Sequence, residues 1–257
     1  MRKTGVVLLS GGLDSTTVAA YALKQGYKLW AITLDYGQKH HKELESARRV
    51  SGMLGIKHEV IDISFFGKLA WYSALTEPGR FDLPGGRTAG EMAASIPLTY
   101  VPLRNTLFLV IAAAFLESEV LHLIEREGVA PAEIEAYIFI AANAIDYSGY
   151  PDCRPEYFKQ MAGVLFDGSK LGSQYKKQIN IETPLISMSK AEIVRMAMNL
   201  QAPLEYTWSC YRGGEAPCGE CDSCILRAKG FTEAGYEDPL MVRLGEEGSS
   251  AEGQQAT

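Results

Sequence analysis

Residues 5–26 read GVVLLSGGLDSTTVAAYALKQG, an apolar run that stops at Ser10-Gly11-Gly12-Leu13-Asp14-Ser15 and resumes as a helix-like stretch. A strand that feeds a glycine-rich turn and then a helix aims several backbone N–H groups and the positive helix end at one point, which suits a phosphate. Gly11 and Gly12 bring no side chain into a ligand's path, and Ser10 and Ser15 add hydroxyl donors. The turn is neither G-x-x-x-x-G-K-[ST] nor G-x-G-x-x-G. A bare carboxylate at Asp14 would be repelled by phosphates, so its presence calls for Mg²⁺ between the two anionic partners. The simpler reading is a tight turn capped by Asp14 and Ser15.

Working outward, strand-like runs at Val6–Leu9, Leu29–Leu34 and His58–Ile63 alternate with helical stretches, one reaching about Gln25 and one from about His40 to Leu54. Further strands are expected at Tyr137–Ala142 and Ile179–Thr183, preceded by a long, largely buried helix over residues 105–127. This alternation predicts a parallel sheet covered by helices, an α/β Rossmann-like domain over residues 1–200. Ser189-Lys190-Ala191-Glu192 has capping-box spacing and opens the last helix on the sheet. Residues 67–97 fit neither period, and their Gly and Pro content marks an excursion that is either a binding loop or a surface elaboration.

The 257 residues are 47% hydrophobic, enough for a core, and the net charge of −6 excludes a broad electrostatic grip on nucleic acid. Met1 leads directly into the first strand and no apolar run is long enough to span a bilayer, so a cytoplasmic protein without a membrane partner is expected. Residues 245–257 are small and polar, and are expected to be a disordered tail.

Four of the five cysteines fall within fifteen residues, Cys210, Cys218, Cys221 and Cys224, spaced C-x7-C-x2-C-x2-C. In a reducing compartment this crowding reads as metal ligation. Four converging thiolates suit a closed structural zinc, and the spacing also admits an iron–sulfur cluster. The knuckle and a following helix form the expected C-terminal subdomain, 201–244. Cys153 lies apart, as a packed or substrate-side thiol.

SGGLDS resembles the pyrophosphate loop of the ATP-pyrophosphatase (PP-loop) superfamily, with residues 9–17 (Leu9, Ser10, Gly11, Gly12, Leu13, Asp14, Ser15, Thr16, Thr17) at the nucleotide. DYGQKH from Asp35, VPLRNTLF from Val101, NAIDYSGYPDCRPEY from Asn143, TPLISMSKAEIV from Thr183 and the cysteine knuckle followed by ILRAKGF are together similar to the 7-cyano-7-deazaguanine synthase family of queuosine biosynthesis. The likeness runs from Val6 to about Pro239. It implies an ATP-dependent ligase acting on 7-carboxy-7-deazaguanine and ammonia, a structural zinc on the four cysteines, Mg²⁺ with ATP, and a homodimer with no direct nucleic-acid partner. Asp14, Lys190 and Arg104 are the expected catalytic groups, the two cations for phosphate or adenylate charge. Asp146, Tyr147, Ser148, Asp152 and Arg154 follow a predicted strand at the end where such sheets bind ligands, and are the expected substrate residues; a supporting loop is the plainer alternative. His40, His41 and Tyr36 are further candidates near the nucleotide. Residues 116–136 look longer than the family's usual connection. The alternatives are a tRNA-thiolating enzyme of the same superfamily, which would need a basic RNA platform, and a zinc-knuckle binding module, which leaves SGGLDS unexplained.

Overall fold

The structure is a computed structural model that describes residues 1–37, 42–77, 79–82, 96–144 and 150–255. Its chain runs β1 (Arg2–Leu8), α1 (Leu13–Lys24), β2 (Lys28–Asp35), α2 (Lys42–Met53), β3 (Lys57–Asp62), α3 (Phe65–Leu69), α4 (Arg104–Glu125), β4 (Ile134–Phe139), α5 (Pro155–Asp167), α6 (Lys170–Tyr175), β5 (Asn180–Glu182), α7 (Lys190–Asn199), α8 (Asp222–Ala234) and α9 (Pro239–Gln255). All strand pairs are parallel, in the order β3-β2-β1-β4-β5.

That order follows from the chain's direction of growth. From β1 it moves outward through β2 and β3, then crosses back to lay β4 on the other side of β1. The reversal leaves a crevice at the carboxyl ends of β1 and β4, where the glycine turn sits. The central strands are buried on both faces. Val6, Leu8, Ile32 and Ile138 pack with Leu109, Leu116 and Val120 of α4, whereas Val7, Leu9, Ala31 and Phe139 pack with Val18 of α1, Val50 of α2 and Ile193 of α7.

The predicted strands are all present, with shifted ends. β1 begins at Arg2 and β4 at Ile134, because Arg2 pairs in register with Ile134. At β1 the polar Arg2 and Lys3, at the open start of the strand, carry no apolar signal, which is why the sequence hides that end. The Ser189 capping box is formed: the Ser189 hydroxyl accepts from the Glu192 N–H, and Glu192 accepts from the Ser189 N–H at 2.8 Å. Helix α4 departs from the expected burial. Asn105, Leu109, Ala112, Ala113, Leu116 and Val120 form a single buried stripe, and Val110 is 45% exposed. Among the described residues it is the one helix long and apolar enough to cross a membrane by length and composition, and here that stripe lies on the sheet.

The expected tail is also different: residues 245–255 continue α9. Leu240, 1% exposed, anchors the start of that helix, and the Arg243–Glu247 pair at 2.7 Å spans the boundary. A nucleated helix propagates at little further cost even through polar residues. The knuckle's helix α8 sends Phe231 into the same cluster as Ile193 and Leu204, and Trp208, Cys210, Cys221, Cys224 and Leu240 form a small cluster of their own.

Candidate active site

The glycine turn is held by its own serines. The Ser10 N–H donates to Ser15 Oγ at 3.2 Å, the two hydroxyls share a 3.0 Å hydrogen bond, Ser15 Oγ donates to the Gly12 carbonyl, and the Gly12 N–H donates to Ser10 Oγ. The first helical bond of α1 is Thr16 N–H to Gly12 O, so the amides of Leu13, Asp14 and Ser15 point out of the helix start. Gly11 has φ +82°, and a Cβ there would stand 2.5 Å from both Ala47 N and Glu43 O of α2. Its role is therefore to let the loop lie against α2. At Gly12 a Cβ would meet nothing nearer than 3.4 Å.

Two compartments open from the turn. The smaller, about 190 Å³, is lined by Ser10, Gly12, Leu13, Asp14, Ser15 and Lys190, with Trp208, Ser209 and Arg227 from the C-terminal segment. Lys190 reaches it from the first turn of α7, bonded to both oxygens of Asp14 at 3.0 and 2.8 Å, and both side chains are largely buried. The stem of Lys190 passes over Gly230 so closely that a Cβ at Gly230 would stand 2.3 Å from Lys190 Cγ.

The larger cavity, about 280 Å³, runs over the carboxyl ends of β1, β2 and β4. Its walls include Leu9, Leu34, Tyr36, Phe108, Asn143 and Cys153, and also Ala74 and Leu75, so that this described part of the 67–97 excursion is a wall of the cavity. Arg104 lies under the Tyr36 ring at 5.8 Å; burial opposes its charge, but Tyr36, Tyr150 and Asp152 around it hold it firmly protonated. Burial pushes the Cys153 thiol up to about 12, helped by the charge of Asp152, so it is a protonated lining group. Ser10, Asp14, Ser15, Glu43, Ala141 and Tyr211 line both compartments and mark their junction. Burial pushes the carboxyl of Glu43 up to about 7, with Arg104 pulling the other way.

The structure thus brings Leu9, Ser10, Gly12, Leu13, Asp14, Ser15, Lys190 and Arg104 to the cavities. It turns Thr16 and Thr17 away: both are 0% exposed inside α1, and Thr17 Oγ1 donates back to the Leu13 carbonyl at 2.8 Å. Asp152 supports the site from behind, accepting from the Asn105 N–H at 3.3 Å and so fixing the start of α4 beside Arg104. Arg154 is exposed as the residue before α5 and lines neither compartment. Asp146, Tyr147, Ser148, His40 and His41 lie outside the described residues. Glu43, Tyr211, Trp208 and Arg227 were missed by sequence reasoning. Glu43 sits in a charged helical run that reads as solvated surface, and only the fold turns it inward.

The sulfurs of Cys210, Cys218, Cys221 and Cys224 all lie within 4.8 Å of one another, a set that can share one metal ion. Backbone N–H groups of Arg212 and Cys218 point at Cys210 Sγ, and that of Cys221 at Cys218 Sγ, each at 3.4 Å; at Cys210 these donors oppose the burial that pushes its thiol up. The knuckle also touches the loop. The Trp208 N–H donates to the Gly11 carbonyl at 2.9 Å, and Lys42 of α2 lies 4.9 Å over the Trp208 ring. Behind it, buried Arg227 is bonded twice to Asp238 and donates to Thr207 and Ser209.

Comparison with known proteins gives a family match over residues 4–235, described as queuosine biosynthesis protein QueC. A 7-cyano-7-deazaguanine synthase of Thermoplasma acidophilum is 49% identical over 93% of this chain and 92% of its own, and one of Thermoplasma volcanium is 50% identical over 93% and 91%. Among solved structures, a 4-thiouridine synthetase in complex with RNA and ATP is 17% identical, covers 95% of this chain and 50% of that one, and has a TM-score of 0.42.

Proposed function

The chain belongs to the QueC family of queuosine biosynthesis proteins, and from that premise we propose that it is a carbon–nitrogen ligase that uses ATP to convert 7-carboxy-7-deazaguanine and ammonia into 7-cyano-7-deazaguanine. The observation that carries the reading is the junction of a phosphate-sized compartment on the glycine turn with a larger, mainly apolar cavity suited to flat rings. Ammonia cannot displace oxygen from a carboxylate until that oxygen becomes a leaving group, and adenylation makes it one. Dehydrating the resulting amide to a nitrile needs a second activation of the same oxygen, so one nucleotide site serves both stages.

In this reading the amides of Leu13, Asp14 and Ser15 hold phosphate oxygens, and Lys190 and Arg104 stabilise charge on the phosphates and on the developing adenylate. Asp14 and the phosphates are the groups that would hold Mg²⁺, which screens anionic oxygens during displacement. The segment 143–157 reads the heterocycle, with Asp146, Tyr147 and Ser148 as the side chains it offers. The ion on the four cysteines is zinc: a tetrahedron with Zn–S of about 2.3 Å has edges of about 3.8 Å, and Cys218 Sγ lies 3.9 Å from Cys224 Sγ. With all four positions filled by protein, that zinc is structural. A homodimer, which sedimentation tests, completes the reading.

The test is mass spectrometry of the products formed from 7-carboxy-7-deazaguanine, ATP, Mg²⁺ and ammonium. Nitrile together with AMP is expected. Unchanged carboxylate from metal-loaded, ATP-binding protein, or ADP as the nucleotide product, overturns the proposal.

A further inference from the structure

Glu43 stands where the two compartments meet, and we propose that its carboxylate takes the proton from the nitrogen nucleophile as the carbon–nitrogen bond forms. The inference rests on the ligase reading above. When ammonia attacks the acyl adenylate, the C–N bond forms, the C–O bond to AMP breaks with its electron pair going to AMP, and the nitrogen carries a proton it must lose. The acceptor has to stand beside both the phosphate end and the ring end of the substrate.

Besides Glu43, charged and titratable groups line the two compartments from several elements; Arg227 of α8 is bonded twice to Asp238, Tyr150 shares a hydrogen bond with Thr99, and burial keeps the Cys153 thiol protonated. Arg104 on α4 and Lys190 on α7 are cations with no proton to gain. Asp14 on α1 is tied to Lys190 through both of its oxygens. Tyr36, after β2, is shifted upward by burial and would enter only as a phenol. Tyr211, from the knuckle, contributes a hydroxyl. Glu43, in the first turn of α2, makes no ion pair among the described residues and is aimed at the junction by a fixed backbone, because its own carbonyl is packed beneath Gly11. Its carboxyl is held near 7 by burial, the range in which a group accepts and returns a proton near neutral pH. At the second stage the amide oxygen displaces pyrophosphate from another ATP as one N–H proton leaves, and the remaining N–H proton leaves as AMP departs with the C–O pair; the same carboxylate is placed to take each in turn, releasing the first to solvent before the second.

The experiment uses the full, metal-loaded chain and Glu43→Gln. Adenylation alone is read as substrate-dependent exchange of labelled pyrophosphate into ATP without ammonia, and bond formation as amide plus nitrile with saturating ammonium. The expected result is exchange within about twofold of the unaltered protein while bond formation falls about 10²-fold or more, with the acidic limb of the pH–rate profile, centred near 7, lost. Parallel loss of exchange and bond formation, or recovery on raising Mg²⁺, overturns the proposal and makes Glu43 a nucleotide or metal group. Unchanged bond formation overturns it too. Glu43→Asp keeps a carboxylate and is expected to retain the acidic limb and part of the rate; a flat profile with normal exchange in that variant counts against the proposal. If the unaltered protein shows no exchange, the ligase reading itself has failed, and this inference goes with it.

Discussion

The glycine turn and the cysteine knuckle touch through a hydrogen bond, Trp208 N–H to Gly11 O, yet they are built on opposite principles. The turn is made by the sheet: its position is set by β1 and α2, its serines satisfy one another, and what it requires is the absence of a Cβ at Gly11. The knuckle has little core, Trp208, Leu240 and the cysteines with Tyr211 and Leu244 packed against them, and what it requires is the presence of four donors around one ion. One region is therefore sensitive to atoms added and the other to atoms removed.

Metal removal has the largest expected effect. Cys224→Ser, or dialysis against a strong chelator, should abolish stoichiometric metal and cost on the order of 5 kcal/mol or more, lowering Tm by more than about 10 °C. Because Trp208 braces Gly11, ATP affinity should fall with it; intact ATP binding in a metal-free chain would break the link between the two regions. Next, Gly11→Ala should cost about 2–4 kcal/mol in denaturant unfolding, from strain and overlap with α2, while Gly12→Ala should cost less than about 1 kcal/mol. Equal losses at the two glycines would remove the case for close packing on α2.

The third prediction concerns pH. Glu43 has a folded pKa raised to about 7 from an ordinary 4.5, so the folded state holds the proton more tightly and stability falls as pH rises through that window. Glu43→Gln should accordingly be more stable than the unaltered chain at pH 8 by about 1–3 kcal/mol, with the difference fading below pH of about 4.5. A difference that grows toward acid would refute the buried, raised carboxyl. The smallest effect is expected at the Asp14–Lys190 pair, where a double-mutant cycle with Asp14→Asn and Lys190→Met should give a coupling of about 1 kcal/mol in the absence of nucleotide.

How far the sequence carried differs between these regions for a physical reason. The turn, β1 to β3 and the Ser189 cap were readable because each is written in contiguous residues whose period or spacing enforces local structure. The four cysteines were readable because ligand spacing is nearly independent of fold. The burial of the Thr16 and Thr17 side chains was not legible in the loop pattern, because helix periodicity turns the second and third residues after Asp14 back into the core. Asp152 proved to be a support of α4, since only tertiary structure brings it to Asn105. Glu43 and Trp208 could not be found at all from local pattern, because their partners lie 32 and 197 residues away in the chain, at Gly11 in both cases.

That last separation has a consequence for how the protein is made. Gly11 leaves the ribosome well before its brace: Trp208 follows only after 197 more residues have been added, a delay on the order of 10–40 s at ordinary rates of synthesis. The nucleotide loop is thus begun long before it is braced, and a nascent chain halted before the knuckle, probed for ATP capture on the ribosome, should remain blind to the nucleotide until Trp208 has emerged.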